Sequence, residues 1–107
     1  MIVVWSPHAQ SQFHGILTEL ADHLLQDAVY EWRAKIIATV NQLASFPVLG
    51  TVIPEVCFDA VPEKSDRIRQ IFCNPYRIVY EPVGDEIHIL SIRHARRLVT
   101  DGDTIWN

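Results

Sequence analysis

The 107-residue sequence has no long hydrophobic run, because its apolar stretches are only a few residues long and are interrupted by charged residues. A membrane-spanning helix needs roughly 20 consecutive apolar residues. The first ten residues also lack a basic segment followed by a long apolar stretch, which is the pattern of an export signal. These absences predict a cytoplasmic protein without a membrane partner.

Cysteine is scarce, and the motifs of common metal and nucleotide sites are missing. Cys57 and Cys73 form no CxxC pair, so both are interpreted as reduced, buried small side chains. The histidines include no HxxxH pair and no HExxH motif, which argues against zinc. No P-loop, GxGxxG or GxSxG sequence occurs either. The sequence therefore predicts no metal and no cofactor.

Lysine is absent after position 64, so the positive charge of the C-terminal part is carried by arginine alone. Residues 1–65 hold three Lys or Arg against seven Asp or Glu, whereas residues 66–97 hold six Arg against four acids. The net charge of −4 argues against a surface covered with phosphate-binding groups. Arginine suits forked recognition of phosphate or carboxylate, although a solvated sheet edge also carries charge.

The length predicts one domain over residues 1–107, because so short a chain has no room for a second core. Residues 2–5 form a β-branched and aromatic run, which is typical of a strand. Ser6-Pro7 then predicts a helix start, with Ser6 as N-cap and Pro7 at the first helical position. Apolar residues at steps of three and four indicate an amphipathic helix.

Asp27 is a plausible N-cap for a second helix, which Phe46-Pro47 and Gly50 close. The short connection between the helices predicts a helical hairpin. Residues 47–64 contain several prolines and are expected to form an irregular loop rather than a central strand.

From Asp66 the period of apolar residues changes from about 3.6 to 2. Turns at Asn74-Pro75 and Gly84-Asp85 divide the rest into strands over residues 66–73, 76–82 and 86–93. The predicted order is β-α-α-β-β-β, an α+β fold. Its N-terminal helical hairpin packs on one face of a mainly antiparallel four-stranded sheet that includes residues 1–5.

The arginines of these strands are the candidate functional residues. Arg67, Arg69 and Arg77 alternate with an apolar and aromatic set that includes Phe72 and Tyr76, so we expect them to share the sheet face away from the helices. Such a cationic face suits an RNA backbone, an acidic groove on a protein, or simply water.

Several motifs together resemble the RelE/ParE toxin superfamily of type II toxin–antitoxin systems. The strand YRIVY (residues 76–80) is followed by a strand that leads into His94-Ala95-Arg96-Arg97, as in the C-terminal half of these toxins. The segment from Leu43 through Phe46-Pro47 and Gly50 to Pro54-Glu55 resembles the link of the ParE-like branch. Trp5-Ser6-Pro7 is similar to the family's first strand-to-helix junction. The resemblance covers residues 3–98 with the elements in family order.

The resemblance implies two activities, both neutralised by a cognate antitoxin. RelE-like members cut messenger RNA on the ribosome, and ParE-like members act on DNA gyrase. A ribonuclease needs groups that stabilise charge at the phosphate and a group that moves the 2′-hydroxyl proton. By resemblance, the candidate catalytic residues are Arg69, Arg77, His94 and Arg97. The candidate target-binding residues are Arg67, Arg93 and Arg96.

The ParE-like branch is favoured by charge and motif. RelE has lysines where this chain has Arg67 and Arg69, and it has a C-terminal tyrosine that residues 98–104 lack. Thr51 stands where the ParE-like link usually has arginine. We therefore expect a gyrase inhibitor, and a ribosome-dependent endoribonuclease or a degenerate antitoxin-binding partner remains the alternative. The oligomeric state stays open.

Overall fold

The structure is a computed structural model that describes residues 1–53 and 67–95. The elements follow the predicted order, with one short strand added between the helices and the meander. They are β1 (Ile2–Trp5), α1 (Pro7–Ala21), α2 (Gln26–Ser45), β2 (Thr51–Val52), β3 (Arg69–Cys73), β4 (Tyr76–Val83) and β5 (Glu86–His94).

The sheet has five strands in the order β1-β5-β4-β3-β2, so the expected count of four is wrong by one. The extra strand, β2, lies in the segment that was expected to be irregular, where Thr51 and Val52 pair with Gln70 and Arg69. β1 pairs in parallel with β5, whereas the other neighbours are antiparallel. After β1 the chain passes through the helical hairpin and β2 to β4, and its last strand, β5, then pairs with β1.

The predicted start of α1 is confirmed. The Ser6 hydroxyl accepts a hydrogen bond from the Ala9 amide at 3.0 Å, and Pro7 occupies the first turn. The predicted N-cap of α2 is wrong, because Leu25 holds that position without a side-chain cap and Asp27 lies in the first turn. An acidic residue there still interacts favourably with the positive end of the helix dipole.

Both helices pack on the same face of the sheet, which is called the helix face below. Ile36, Val40 and Leu43 of α2 are fully buried against sheet residues. The sheet contributes a second buried set, which comprises Ile78, Tyr80, Ile87, Ile89 and Ile92. Burial of these side chains is the main stabilising contribution to the fold.

The predicted face of β3 is wrong. Arg69 lies opposite Tyr80 and Cys73 lies opposite Tyr76, so residues 69, 71 and 73 point to the helix face. Phe72 pairs with Arg77 on the other side of the sheet, the outer face, and is 48% exposed. Ile71 and Phe72 are both large and apolar, so the alternating pattern alone did not determine which of them faces the helices.

Candidate functional site

The outer face brings together two of the predicted arginines. Arg77 of β4 and Arg93 of β5 are directly paired across the strands. Arg67, just before β3, places its Nε 3.7 Å from Oε2 of the buried Glu81. Arg67, Arg77 and Arg93 therefore share this face, but Arg93 is only 9% exposed and Glu81 beside Arg67 is buried. The predicted open cationic surface is thus not what the structure shows at Arg93 and Glu81.

Arg69 is not part of this cluster, because it lies on the helix face. Its Nη1 donates a hydrogen bond to the carbonyl oxygen of Gly50 at 2.8 Å. The hydroxyl of the fully buried Tyr80 accepts from the Gly50 amide at 2.9 Å and donates to the Pro47 carbonyl at 2.8 Å. Burial raises the pKa of Tyr80, although the hydrogen bond from Gly50 and the charge of Arg69 act in the opposite direction. These contacts fix the connection between α2 and β2.

His94 also lies on the helix face, at the opposite end of β3 and β4 from Arg69. It pairs with Tyr76, and the two rings make an edge contact at 5.9 Å. Both residues line a cleft of about 570 Å³ together with Arg93 of β5 and with Glu19 and His23 of α1. Burial first, and then electrostatic interactions with Glu19 and Cys73, raise the pKa of Tyr76, so its phenol stays protonated and can donate a hydrogen bond.

A second groove runs along the helical hairpin beside β1. It has a volume of about 420 Å³ and is lined by Trp5, Gln10, Phe13, His14, Leu17, Arg33 and Ile37. The Trp5 and Phe13 rings stack at 5.1 Å and form part of its apolar wall. Gln10, His14 and Arg33 supply the polar groups of this groove.

The N-cap and the first two turns of α1 contact the edge of β5 that extends past β1. The Ile92 amide donates to Oε1 of Gln12 at 2.9 Å, and the Ser6 hydroxyl donates to the Leu90 carbonyl at 3.3 Å. The Nε2 atom of His8 is buried here without a hydrogen bond. Burial first, and then the charge of Arg93, lower the pKa of His8.

The lowered pKa of His8 predicts that the protein loses stability as the pH falls below about 6.5, the usual value for histidine. The folded state disfavours the protonated imidazole of His8. The stability contributed by the neutral imidazole is therefore complete above the pKa of the unfolded state and declines as the pH falls towards the pKa of the folded state. Urea unfolding between pH 7.5 and 5 measures this slope. A His8→Gln variant should have a flatter slope than the parent and than His14→Gln on the same helix, and equal slopes in all three would contradict the assignment.

The structure separates some of the predicted site residues and brings others together. Arg67, Arg77 and Arg93 are placed on the outer face by strand register, whereas Arg69 and His94 occupy opposite ends of the helix face. Arg93 also lines the cleft of His94. Arg96 and Arg97 lie outside the described residues. Sequence reasoning missed Glu19, His23 and Tyr76 as cleft residues, although Glu19 and His23 are four apart and therefore adjacent on one face of α1.

No group of three or more His, Cys, Asp or Glu side chains within residues 1–53 and 67–95 is arranged to hold a metal ion. Neither helix of the same ranges is long and apolar enough to cross a membrane. Cys73 is a free, buried thiol, as predicted, and Cys57 lies outside these ranges.

Comparison with known proteins identifies the fold and the family. The family model described as "ParE toxin of type II toxin-antitoxin system, parDE" matches residues 3–99. A solved structure from P. aeruginosa, described as "Chromosomal ParDE TA system", superposes with a TM-score of 0.68 at 20% sequence identity. The superposition covers 88% of this chain and 95% of that one, which shows that the fold is the same. No curated protein sequence matches the chain.

Proposed function

The chain belongs to the family of ParE toxins of type II toxin–antitoxin systems, and on this premise we propose that it inhibits DNA gyrase and is neutralised by a cognate antitoxin. In this proposal the toxin acts by binding its target, without hydrolysing a bond. The alternative is the ribosome-dependent endoribonuclease of the RelE-like branch.

The separation of the predicted catalytic residues is the observation that supports a binding mechanism. A ribonuclease has to bring charge-stabilising and proton-transferring groups to the same phosphate, within hydrogen-bond reach. Arg69 donates to Gly50 on the helix face, Arg77 lies on the outer face, and His94 packs against Tyr76. Neither of the two clefts described above is lined by two of these three residues, and the candidate that shares a cleft with His94 is Arg93.

The antitoxin is proposed to dock over the helical hairpin and the adjacent sheet edge. The hairpin groove has the stacked Trp5 and Phe13 rings and the apolar side chains of Leu17 and Ile37 in its walls. Grooves of this kind accept the apolar face of an amphipathic helix. Arg33 at the groove offers an ion pair to an acidic residue of such a segment. The family context also implies an antitoxin partner.

The proposal predicts that the purified protein inhibits DNA supercoiling by gyrase. It also predicts that transcripts stay intact when the protein is expressed in cells. The two measurements are supercoiling of relaxed plasmid and mapping of transcript ends at codon resolution. Co-expression of the protein encoded by the neighbouring reading frame is the matched control, because a cognate antitoxin should restore growth and supercoiling.

The outcomes separate the candidate functions. Cuts at codon positions with normal supercoiling would overturn the gyrase proposal in favour of the endoribonuclease. Normal supercoiling together with intact transcripts and normal growth would leave only the degenerate partner. Lost supercoiling with intact transcripts is the result that we expect.

A further inference from the structure

The proposed function makes no use of the cleft between α1 and the ends of β4 and β5, although the floor of this cleft is polar. Tyr76 and Arg93 line it and are only 7% and 9% exposed, so both polar side chains lie at its bottom. Glu19, His23 and His94 line the same cleft and are exposed at its rim. Its volume of about 570 Å³ falls within the range of ligand sites in proteins.

The Tyr76 hydroxyl is a buried polar group without a hydrogen-bond partner in the described part of the chain. Its ring contacts the rings of Trp32 and His94, with centroids 5.6 and 5.9 Å away, which fixes its orientation. Glu19, on the α1 wall of the cleft, interacts electrostatically with this phenol, so the hydroxyl lies on the cleft side of the ring. Buried polar groups normally have a partner. The hydroxyl is therefore available to a group bound in the cleft.

The floor of the cleft supplies hydrogen-bond donors and positive charge. Burial is the main reason why the pKa of Tyr76 lies above its usual value, so the hydroxyl stays neutral and can donate. Arg93 is always charged and has five N–H donors, so it can contact a ligand and keep another partner as well. Such donors bind carboxylates and phosphates. The negative charge of Glu19 at the rim favours a singly charged carboxylate over a phosphate group, which carries about two charges.

We propose that this cleft binds a carboxylate through the Tyr76 hydroxyl and the Arg93 guanidinium group. The carboxylate belongs either to an acidic side chain of a protein partner or to a free organic acid, because both present the same group to the floor. The cleft shares no lining residue with the hairpin groove proposed for the antitoxin. The inference goes beyond the proposed function and does not depend on gyrase being the target.

The test titrates the whole chain with acetate and with the blocked peptide acetyl-Gly-Glu-Gly-amide, and follows the amide NMR signals of Gly15 and Ile92, which line the cleft. We expect saturable shifts and a Kd about tenfold higher in Tyr76→Phe, which loses one hydrogen bond to a charged group. This variant should unfold like the parent, because it keeps the ring. Tyr30→Phe is the matched control and should bind like the parent, since Tyr30 is 59% exposed on α2 and bonds to Gln26.

A second variant, Glu19→Gln, should change the affinity in the opposite direction. It removes the repulsion from an exposed position, so the Kd for the peptide should fall by roughly twofold. Peptide binding that is tighter than acetate binding assigns the carboxylate to a protein partner, and equal or weaker peptide binding assigns it to a free organic acid.

Three results would overturn this inference. They are the absence of saturable shifts with both probes, tighter binding of inorganic phosphate than of either probe, and a Kd that neither Tyr76→Phe nor Glu19→Gln changes in the stated direction. Supercoiling by gyrase is measured separately, so a failure of the proposed function is distinguishable from a failure of this site.

Discussion

Replacing Gly50 by alanine is expected to lower the free energy of unfolding by about 3 kcal/mol or more, from overpacking and from lost buried hydrogen bonds. A Cβ atom at this position would lie 2.4 Å from the Gln70 carbonyl oxygen and 2.8 Å from the Tyr80 ring and hydroxyl. The Gln70 carbonyl oxygen belongs to the backbone of β3, and Tyr80 is fully buried, so neither group can move without disrupting the sheet or the core. Relief of the clash requires the turn to separate from the sheet, which breaks the hydrogen bonds of Gly50 to Tyr80 and Arg69.

Thermal unfolding measures this effect, and Gly15→Ala is its matched control. A loss of about 3 kcal/mol corresponds to a fall in Tm of roughly 12–24 °C for a domain of this size. Gly15 lies within α1, where an added Cβ meets nothing within 4 Å. Alanine there should instead stabilise the helix by about 0.5–1 kcal/mol. If Gly50→Ala were as stable as the parent, the packing of Gly50 against Gln70 and Tyr80 would be wrong.

The helices were the most predictable part of the fold, because their signals are local. Ser6-Pro7 marks a helix start because the Ser6 hydroxyl caps a free amide of the first turn and Pro7 has a fixed φ angle that suits a helix. Both effects involve only neighbouring residues. Leu25 at the N-cap of α2 gives no such signal, because its side chain cannot cap a helix. The sequence pattern therefore predicts Asp27, the nearest residue with a capping side chain, as the N-cap. The strand β2 was missed for a different reason. Its two residues are held by pairing with β3, a long-range contact that no local pattern encodes.

The candidate site was less predictable than the fold, because its geometry depends on strand register. A shift of one residue moves a side chain to the opposite face of a sheet. The pairing of Arg77 with Arg93 across β4 and β5 depends on the register between these strands, which the sequence pattern does not give. The pattern predicts Phe72 as a core residue and Arg69 on the outer face, whereas the structure packs Ile71 against the core and leaves Phe72 48% exposed. The role of Arg69 in holding Gly50 depends on a contact across 19 residues of chain.

Arg69→Ala is expected to destabilise the protein and to reduce toxicity only through that loss of stability. The guanidinium group donates to the Gly50 carbonyl at 2.8 Å in a partly buried setting. Hydrogen bonds that involve a charged group contribute about 1.5–3 kcal/mol, so a decrease of this order in the free energy of unfolding should follow. Because the same contact holds the connection between α2 and β2, growth inhibition should fall as the temperature rises towards the Tm of the variant and return at lower temperature.

A catalytic Arg69 would behave in the opposite way. Loss of one preorganised charge-stabilising donor reduces turnover by about 10²–10³-fold, and it would do so at every temperature at which the protein is folded. Arg33→Ala is the matched control, because Arg33 is an exposed residue of α2, so its removal should change stability by about 0.5 kcal/mol or less. Urea unfolding and growth inhibition measured on the same variants at 20 and 37 °C separate the two roles. An Arg69→Ala protein that unfolds like the parent and is inactive at 20 °C would show that Arg69 acts on the target, and the contact with Gly50 would then be secondary.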